Sequence, residues 1–249
     1  MKKNIHTKKV AIQTVGNDLL FGAHPILECI RAGKRKVISI YTTKPFPKGW
    51  RRIEQSLPKH VQNIQYVSRD VLTRIAGTSD HMGVVAYVSP YKYCSKPFTP
   101  ETHKRLLLLD GVSDVRNLGA ILRSAYCTNV DGVVLCRKGG ALMTATVFKA
   151  SAGLAEHLDV YLYPSIASAV QELKKNGYSL YMAVADEGTN ALHVAYESPQ
   201  CIVIGSEETG IAKDVRKEGI LVTLPQRDTS SYNASVAAAI FLFLTAFNK

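Results

Sequence analysis

The chain has 249 residues, 46% hydrophobic and 20% charged, with a formal net charge of +11. That is enough for one large domain or two modest ones, and it excludes a disordered or collagen-like chain. No apolar run reaches the roughly 20 residues that a membrane span needs, and Met1-Lys2-Lys3-Asn4-Ile5-His6 leads into no apolar stretch, so no membrane partner and no signal peptide are read.

The first seventeen residues carry Lys2, Lys3, Lys8 and Lys9 without an acid and read as a flexible basic arm, 1–17. Leu19 to Ala32 is helix-like behind an Asp18 cap, with its regular part starting near Pro25. Val37 to Tyr41 and Ile64 to Val67 are strand-like. Ser68 opens a short helix that ends at Gly77, and Val84 to Val88 is a further strand, completing a small α/β module over 18–88. The segment 89–105, broken by Pro90, Pro97 and Pro100, reads as a linker.

From Leu106 to Lys249 strands and helices alternate. Strands are expected at Leu106 to Leu109, Val133 to Cys136, Val160 to Leu162, Leu180 to Ala185, Cys201 to Ile204 and Ile220 to Leu224. Helices are expected at Asn117 to Cys127, Ala145 to Leu154, Ile166 to Lys175, Ile211 to Glu218 and Ser231 to Phe247. The fold class is therefore α/β, with a parallel sheet covered on both faces. The last helix is apolar all round and must be covered by the core or by a second subunit. Ligands of such sheets bind outside the carboxyl ends of the strands, which directs attention to the loops after Leu109, Ile204 and Leu224.

Residues 1–105 hold 19 Lys and Arg against 6 Asp and Glu, a net of +13, whereas 106–249 has a net of −2. A basic half beside a neutral one suits a grip on a polyanion, nucleic acid above all; a lysine-rich solvated surface is the plainer alternative. Cys29, Cys94, Cys127, Cys136 and Cys201 form no C-x-x-C pair, so neither zinc nor a disulfide framework is expected, only thiols in a reducing cytosol.

In the first loop, Asn117 is a candidate helix cap and Gly119 admits a close neighbour. Arg123 lies over the Gly119 face, where its guanidinium could fork onto a phosphate or pair with Asp110 or Asp114. The second loop, Gly205-Ser206-Glu207-Glu208-Thr209-Gly210, has the glycine spacing of a phosphate loop but continues Ile211-Ala212, without the Lys and hydroxyl such a loop needs. Its carboxylates suit a neutral or cationic ligand, or simply favour a helix start. In the third, Ser231 or Asn233 caps the final helix. No G-x-G-x-x-G follows the first strand and no G-x-S-x-G elbow is present, while His24 and His81 stand alone.

Together, Asn117-Leu118-Gly119-Ala120-Ile121-Leu122-Arg123, Gly205-Ser206-Glu207 through Gly210, and Ser231-Tyr232-Asn233-Ala234-Ser235-Val236-Ala237 resemble the three motifs of the SpoU (TrmH-type) branch of the SPOUT RNA ribose 2′-O-methyltransferases. Phe21-Gly22-Ala23-His24-Pro25-Ile26 and His81-Met82-Gly83-Val84-Val85-Ala86 resemble the ribosomal-protein-like RNA-binding domain of the 23S rRNA guanosine members. The resemblance implies a C-terminal trefoil knot, an S-adenosyl-L-methionine cofactor, a homodimer with composite active sites, and an RNA substrate in the cytoplasm, rRNA favoured over tRNA. It implies a catalytic Arg123 with Asn117, Glu207, Ser231 and Asn233 around it, a cofactor held by Gly205, Leu224 and Tyr232 with Gly210 shaping the loop, and no metal. Arginine's pKa of about 12.5 or higher favours a phosphate and oxyanion clamp for Arg123, with general base as the alternative. The rival readings are a tRNA or resistance-type rRNA methyltransferase, and a non-catalytic ribosome-assembly protein of the same fold.

Overall fold

The computed structural model describes residues 16–59, 61, 63–227 and 231–247, so almost all of the basic arm lies outside the described residues. Two sheets form. The first contains β1 (Asp18–Phe21), β2 (Val37–Thr42), β3 (Ile64–Tyr66) and β4 (Val84–Val88) in the order β1-β4-β2-β3, with α1 (Ala23–Ala32), α2 (Trp50–Ser56) and α3 (Arg69–Ala76). The Ser68 side chain caps α3 by accepting from Val71 N, and left-handed Gly77 closes it.

The second sheet has seven parallel strands: β5 (Arg105–Leu109), β6 (Gly132–Cys136), β7 (Val160–Tyr163), β8 (Ser179–Val184), β9 (Thr189–Asn190), β10 (Gln200–Ile204) and β11 (Ile220–Thr223). Their order is β7-β6-β5-β10-β8-β11-β9. Around them lie α4 (Val115–Cys127), α5 (Ala145–Ala150), α6 (Ile166–Lys175), α7 (Lys213–Arg216) and α8 (Ala234–Phe247). Alternation along the strands sorts the core: Leu107, Leu109, Ile202 and Ile204 pack on one face, and Leu106, Leu108, Cys201 and Val203 on the other. After β7 the chain crosses to the far side of β5, and β10 enters between β5 and β8. The carboxyl ends of β5, β10, β8 and β11 thus lie side by side.

The first face's core runs unbroken from Leu20, Ile26 and Ile40 of the small sheet to Phe148, Leu158 and the large one. An ion cluster seals this junction. Arg35, its side chain 2% exposed, donates through Nη1 to Glu156 Oε1 at 2.9 Å, through Nη2 to Asp18 Oδ2 at 2.8 Å and through Nε to Ser89 O at 2.8 Å. The same Asp18 oxygen accepts from Tyr91 N at 2.8 Å, and Cys94 N donates to Val160 O, so the segment between the sheets is packed down.

Several expected elements differ. Leu19 to Phe21 is strand, not helix, and Asp18 is no cap: its carboxylate serves Arg35 while Gly22, at φ 89°, turns the chain into α1. Helix α4 begins before Asn117, because Asp114 is the cap and accepts from Arg116 N at 2.7 Å. The neighbour that Gly119 admits is α5, whose Val147 O and Ser151 N stand where a β-carbon would go. Helix α7 is shorter than expected, and α5 gives way to a 3-10 turn at Leu154–His157. Helix α8 buries Ala238, Phe241 and Leu242 but leaves Val236, Phe243 and Phe247 exposed, so this chain alone does not cover it.

Cys29, Cys136 and Cys201 are buried; burial pushes the first two thiols up to about 12. Among the described residues no helix is long and apolar enough to cross a membrane, and no group of three or more His, Cys, Asp or Glu could hold a metal ion.

Candidate active site

The second loop leaves β10 at Gly205 and folds back on itself. Ser206 and Gly210 exchange backbone hydrogen bonds, Ser206 N to Gly210 O at 3.3 Å and Gly210 N to Ser206 O at 3.1 Å. A β-carbon on Gly205 would overlap the backbone of Gly210 and Ile211, so only glycine fits. Gly210 holds φ 63°. Thr209 N donates to Ser206 Oγ at 3.1 Å across the turn that carries the exposed Glu207 and Glu208.

The third loop is pinned to its neighbours. Gln226 Nε2 donates to Ala185 O at 2.7 Å, and Tyr232 OH donates to Pro225 O at 2.9 Å. Of the two candidate caps, Asn233 and not Ser231 caps α8: its Oδ1 accepts from Ser235 N at 2.9 Å.

One polar chain then joins all three motifs. Asn117 Nδ2 donates to Glu207 Oε1 at 2.9 Å, and Asn233 Nδ2 donates to Asn117 Oδ1 at 3.3 Å. Had Asn117 been the helix cap, its side chain would have been spent on α4; one turn inside, it is free to bridge the loops.

Between the second and third loops lies a cavity of about 600 Å³. Ile204, Leu224 and Phe241 make apolar walls, Gly205 and Gly210 offer backbone, and Glu207, Ser231, Tyr232 and Asn233 stand along it. Asn117 is at its rim, joined through hydrogen bonds. Arg123 is the exception among the expected residues. It is exposed on α4, does not line the cavity, and makes no hydrogen bond or ion pair among the described residues, so the pairing with Asp110 or Asp114 does not occur. Burial, reinforced by Asp214, raises the Asp110 carboxyl at the end of β5.

Two features of the cavity escaped the sequence. The turn after β8, Ala185 and Asp186, forms a wall; the rule about strand carboxyl ends applied equally to it. Arg216 also reaches the cavity, its Nε donating to Ile211 O at 2.7 Å. No motif spacing marks it.

A parallel α/β sheet with a cavity outside the carboxyl ends of its strands has the form of a small-ligand site. Known proteins narrow this. The SpoU rRNA methylase family model matches residues 104–243, and the model for RNA 2′-O ribose methyltransferase substrate binding matches residues 19–94. A Staphylococcus saprophyticus protein named for the TrmH family of tRNA/rRNA methyltransferases is 32% identical, over 90% of this chain and 93% of its own. Among solved structures, the AdoMet-bound rRNA methyltransferase from Sinorhizobium meliloti has a TM-score of 0.76 at 18% identity, covering 92% of this chain and 86% of that one. The SpoU methyltransferase AviRb from Streptomyces viridochromogenes, in complex with AdoMet, also has a TM-score of 0.76, at 20% identity over 94% of this chain and 90% of that one. The chain belongs to the SpoU rRNA methylase family and is an RNA methyltransferase.

Proposed function

We propose that this is a cytoplasmic, homodimeric enzyme that uses S-adenosyl-L-methionine to methylate a ribose 2′-hydroxyl, that of a guanosine in 23S rRNA. Residues 18–88 serve as the RNA substrate-binding domain, 89–105 as linker and 106–249 as the methyltransferase domain with its C-terminal trefoil knot. The observation that carries the reading is the Glu207–Asn117–Asn233 chain, centred on Asn117, which gathers three motifs distant in sequence around one cavity.

The residues present fit the cofactor. The cavity's volume is within the range of about 300–1,000 Å³ usual for small-ligand sites. Ile204, Leu224 and Phe241 suit a flat heterocycle, backbone at Gly205 and Gly210 suits its polar edge, and Tyr232 stands at the mouth. Glu207 and Glu208 complement a cation. When bound, S-adenosyl-L-methionine supplies an electrophilic methyl group on a sulfonium.

This chain's residues do the rest. Glu207, Asn117, Ser231 and Asn233 present hydrogen-bonding groups around the ribose. Arg123 clamps a substrate phosphate and steadies the developing alkoxide. Its position outside the cavity of its own chain supports a composite site, in which it serves the partner's cavity, and the uncovered side of α8 supports the dimer. The net +13 of residues 1–105 and the substrate-binding match support the rRNA substrate.

Mapping 2′-O-methyl groups in RNA from cells with and without the protein tests this. One guanosine in 23S rRNA should lose its mark in the deletion strain; an unchanged rRNA map with a mark lost from tRNA would contradict the substrate assignment.

A further inference from the structure

Phe46 and Tyr66 are 48% and 51% exposed on the small sheet's side of the molecule, and Trp50, the chain's one tryptophan, is 3% exposed beneath them. The Phe46 ring stacks on Trp50 with centroids 5.4 Å apart and planes 3° apart, so Trp50 covers one face, and Lys44 Nζ stands 5.9 Å from the Phe46 centroid. Tyr66 meets Phe46 edge-on at 6.0 Å, and Lys44 Nζ stands 4.3 Å from the Tyr66 centroid.

The loop that carries Phe46 is held still. Pro45 and Pro47 flank it and limit its backbone. Thr43 Oγ1 donates to Pro45 O at 3.2 Å and Trp50 N to Pro47 O at 3.1 Å. Beneath Pro47 lies Gly83, at φ 83°, where a β-carbon would stand 2.8 Å from Pro47 Cβ. That turn is fixed in its own right: Gly83 N donates to His81 Nδ1 at 3.0 Å, and Thr42 Oγ1 donates to Gly83 O at 3.0 Å. The His81-Met82-Gly83 motif thus braces the aromatic loop.

Lys44 stands against the rings, and further cations follow in the same stretch of chain. Lys44, Lys48, Arg51, Arg52 and Lys59 are exposed and make no ion pair among the described residues, against a single acid, Glu54, in the same stretch. A rigid exposed ring among unpaired cations suits a ligand that has both a π-face and phosphates, whereas a protein partner's apolar patch would leave these charges desolvated.

We propose that Phe46, backed by Trp50 and flanked by Tyr66, is a stacking platform for an unpaired base of the RNA substrate, an assignment that rests on the RNA methyltransferase reading above. Lys44 and the α2 arginines hold the adjoining phosphates, and preorganisation of the loop keeps the entropic cost of binding low.

Trp50 supplies the readout. The full-length chain is titrated with a single-stranded oligoadenylate of about twelve nucleotides and with an abasic oligomer of equal charge, following Trp50 fluorescence and anisotropy. Oligoadenylate should perturb Trp50 emission. Phe46→Leu should weaken oligoadenylate binding about tenfold and leave the abasic oligomer unaffected, while Phe46→Tyr binds as the wild type. If Phe46→Leu fails to fold, Tyr66→Ala should show a smaller loss with the same selectivity. Unchanged oligoadenylate affinity, an equal loss for both oligomers, or no binding by the wild type would overturn the platform. Methyl transfer that persists without any Phe46-dependent binding would overturn only the platform; Phe46-dependent binding without methyl transfer would overturn only the enzymatic reading.

Discussion

Asn117 on α4 donates to Glu207 after β10 at 2.9 Å, closing a gap of 90 residues in the sequence with one charge-assisted hydrogen bond. It sets the orientation of the second loop's first carboxylate. Glu207→Ala should lower methyl transfer about 10- to 100-fold through lost positioning. Glu207→Gln keeps an acceptor for Asn117 and should fall between that variant and the wild type. Because the pair is solvent-facing, melting temperatures should barely change, which separates positioning from folding.

Arg123 touches nothing in its own chain's cavity, so its truncation should leave S-adenosyl-L-methionine affinity near normal while methyl transfer falls by about 10²–10³-fold. In a composite site, mixing Arg123→Ala chains with Asn233→Ala chains should recover part of the activity in the mixed dimer. Calorimetry and single-turnover assays check the two halves; recovery absent from verified heterodimers would place Arg123 elsewhere.

Gly205 offers a steric test. A methyl group there overlaps the Gly210–Ile211 backbone, so Gly205→Ala must open the second loop. The expected cost is about 1–3 kcal/mol of stability, with cofactor binding lost. Gly210→Ala meets no backbone, and its cost is that of a side chain in the left-handed region, about 1–2 kcal/mol. Denaturant melts and cofactor titrations of the two variants check both figures.

The buried Arg35–Glu156 pair bridges the parts of the chain that carry the two sheets. Arg35→Met leaves the Glu156 carboxylate, 0% exposed, without its counter-ion and should cost about 3–5 kcal/mol. Arg35→Met with Glu156→Leu should recover much of that in a denaturant melt, because the uncompensated charge is gone. A double variant as unstable as the single one would show that packing around Arg35, not charge, holds the junction.

The large sheet was legible because its strands are short apolar runs between helix-period segments; α6 has the bounds its pattern predicts, helped by the Ser165–Ser168 capping box. Short elements were not. Leu19 to Phe21 offers too few residues to separate strand from helix, and Trp50–Ser56 carries two arginines and a glutamate that blur its apolar side. The site was legible as three motifs in order. Its wiring was not, since Asn117 and Arg216 act through contacts that only the folded chain creates. The Phe46 loop was equally silent, because the stack on Trp50 has no sequence period.

Methyl transfer in a purified system tests the central claim most directly. The chain is incubated with S-adenosyl-L-methionine carrying a labelled methyl group and with rRNA from cells that lack the protein, and the product is digested with alkali. A 2′-O-methyl group removes the neighbouring hydroxyl that alkaline cleavage requires. The account predicts label in alkali-resistant dinucleotides with guanosine on the 5′ side, and about 10²–10³-fold slower labelling with Arg123→Ala. Label released in mononucleotides would place the methyl on a base and contradict it, as would cofactor bound with no transfer to RNA.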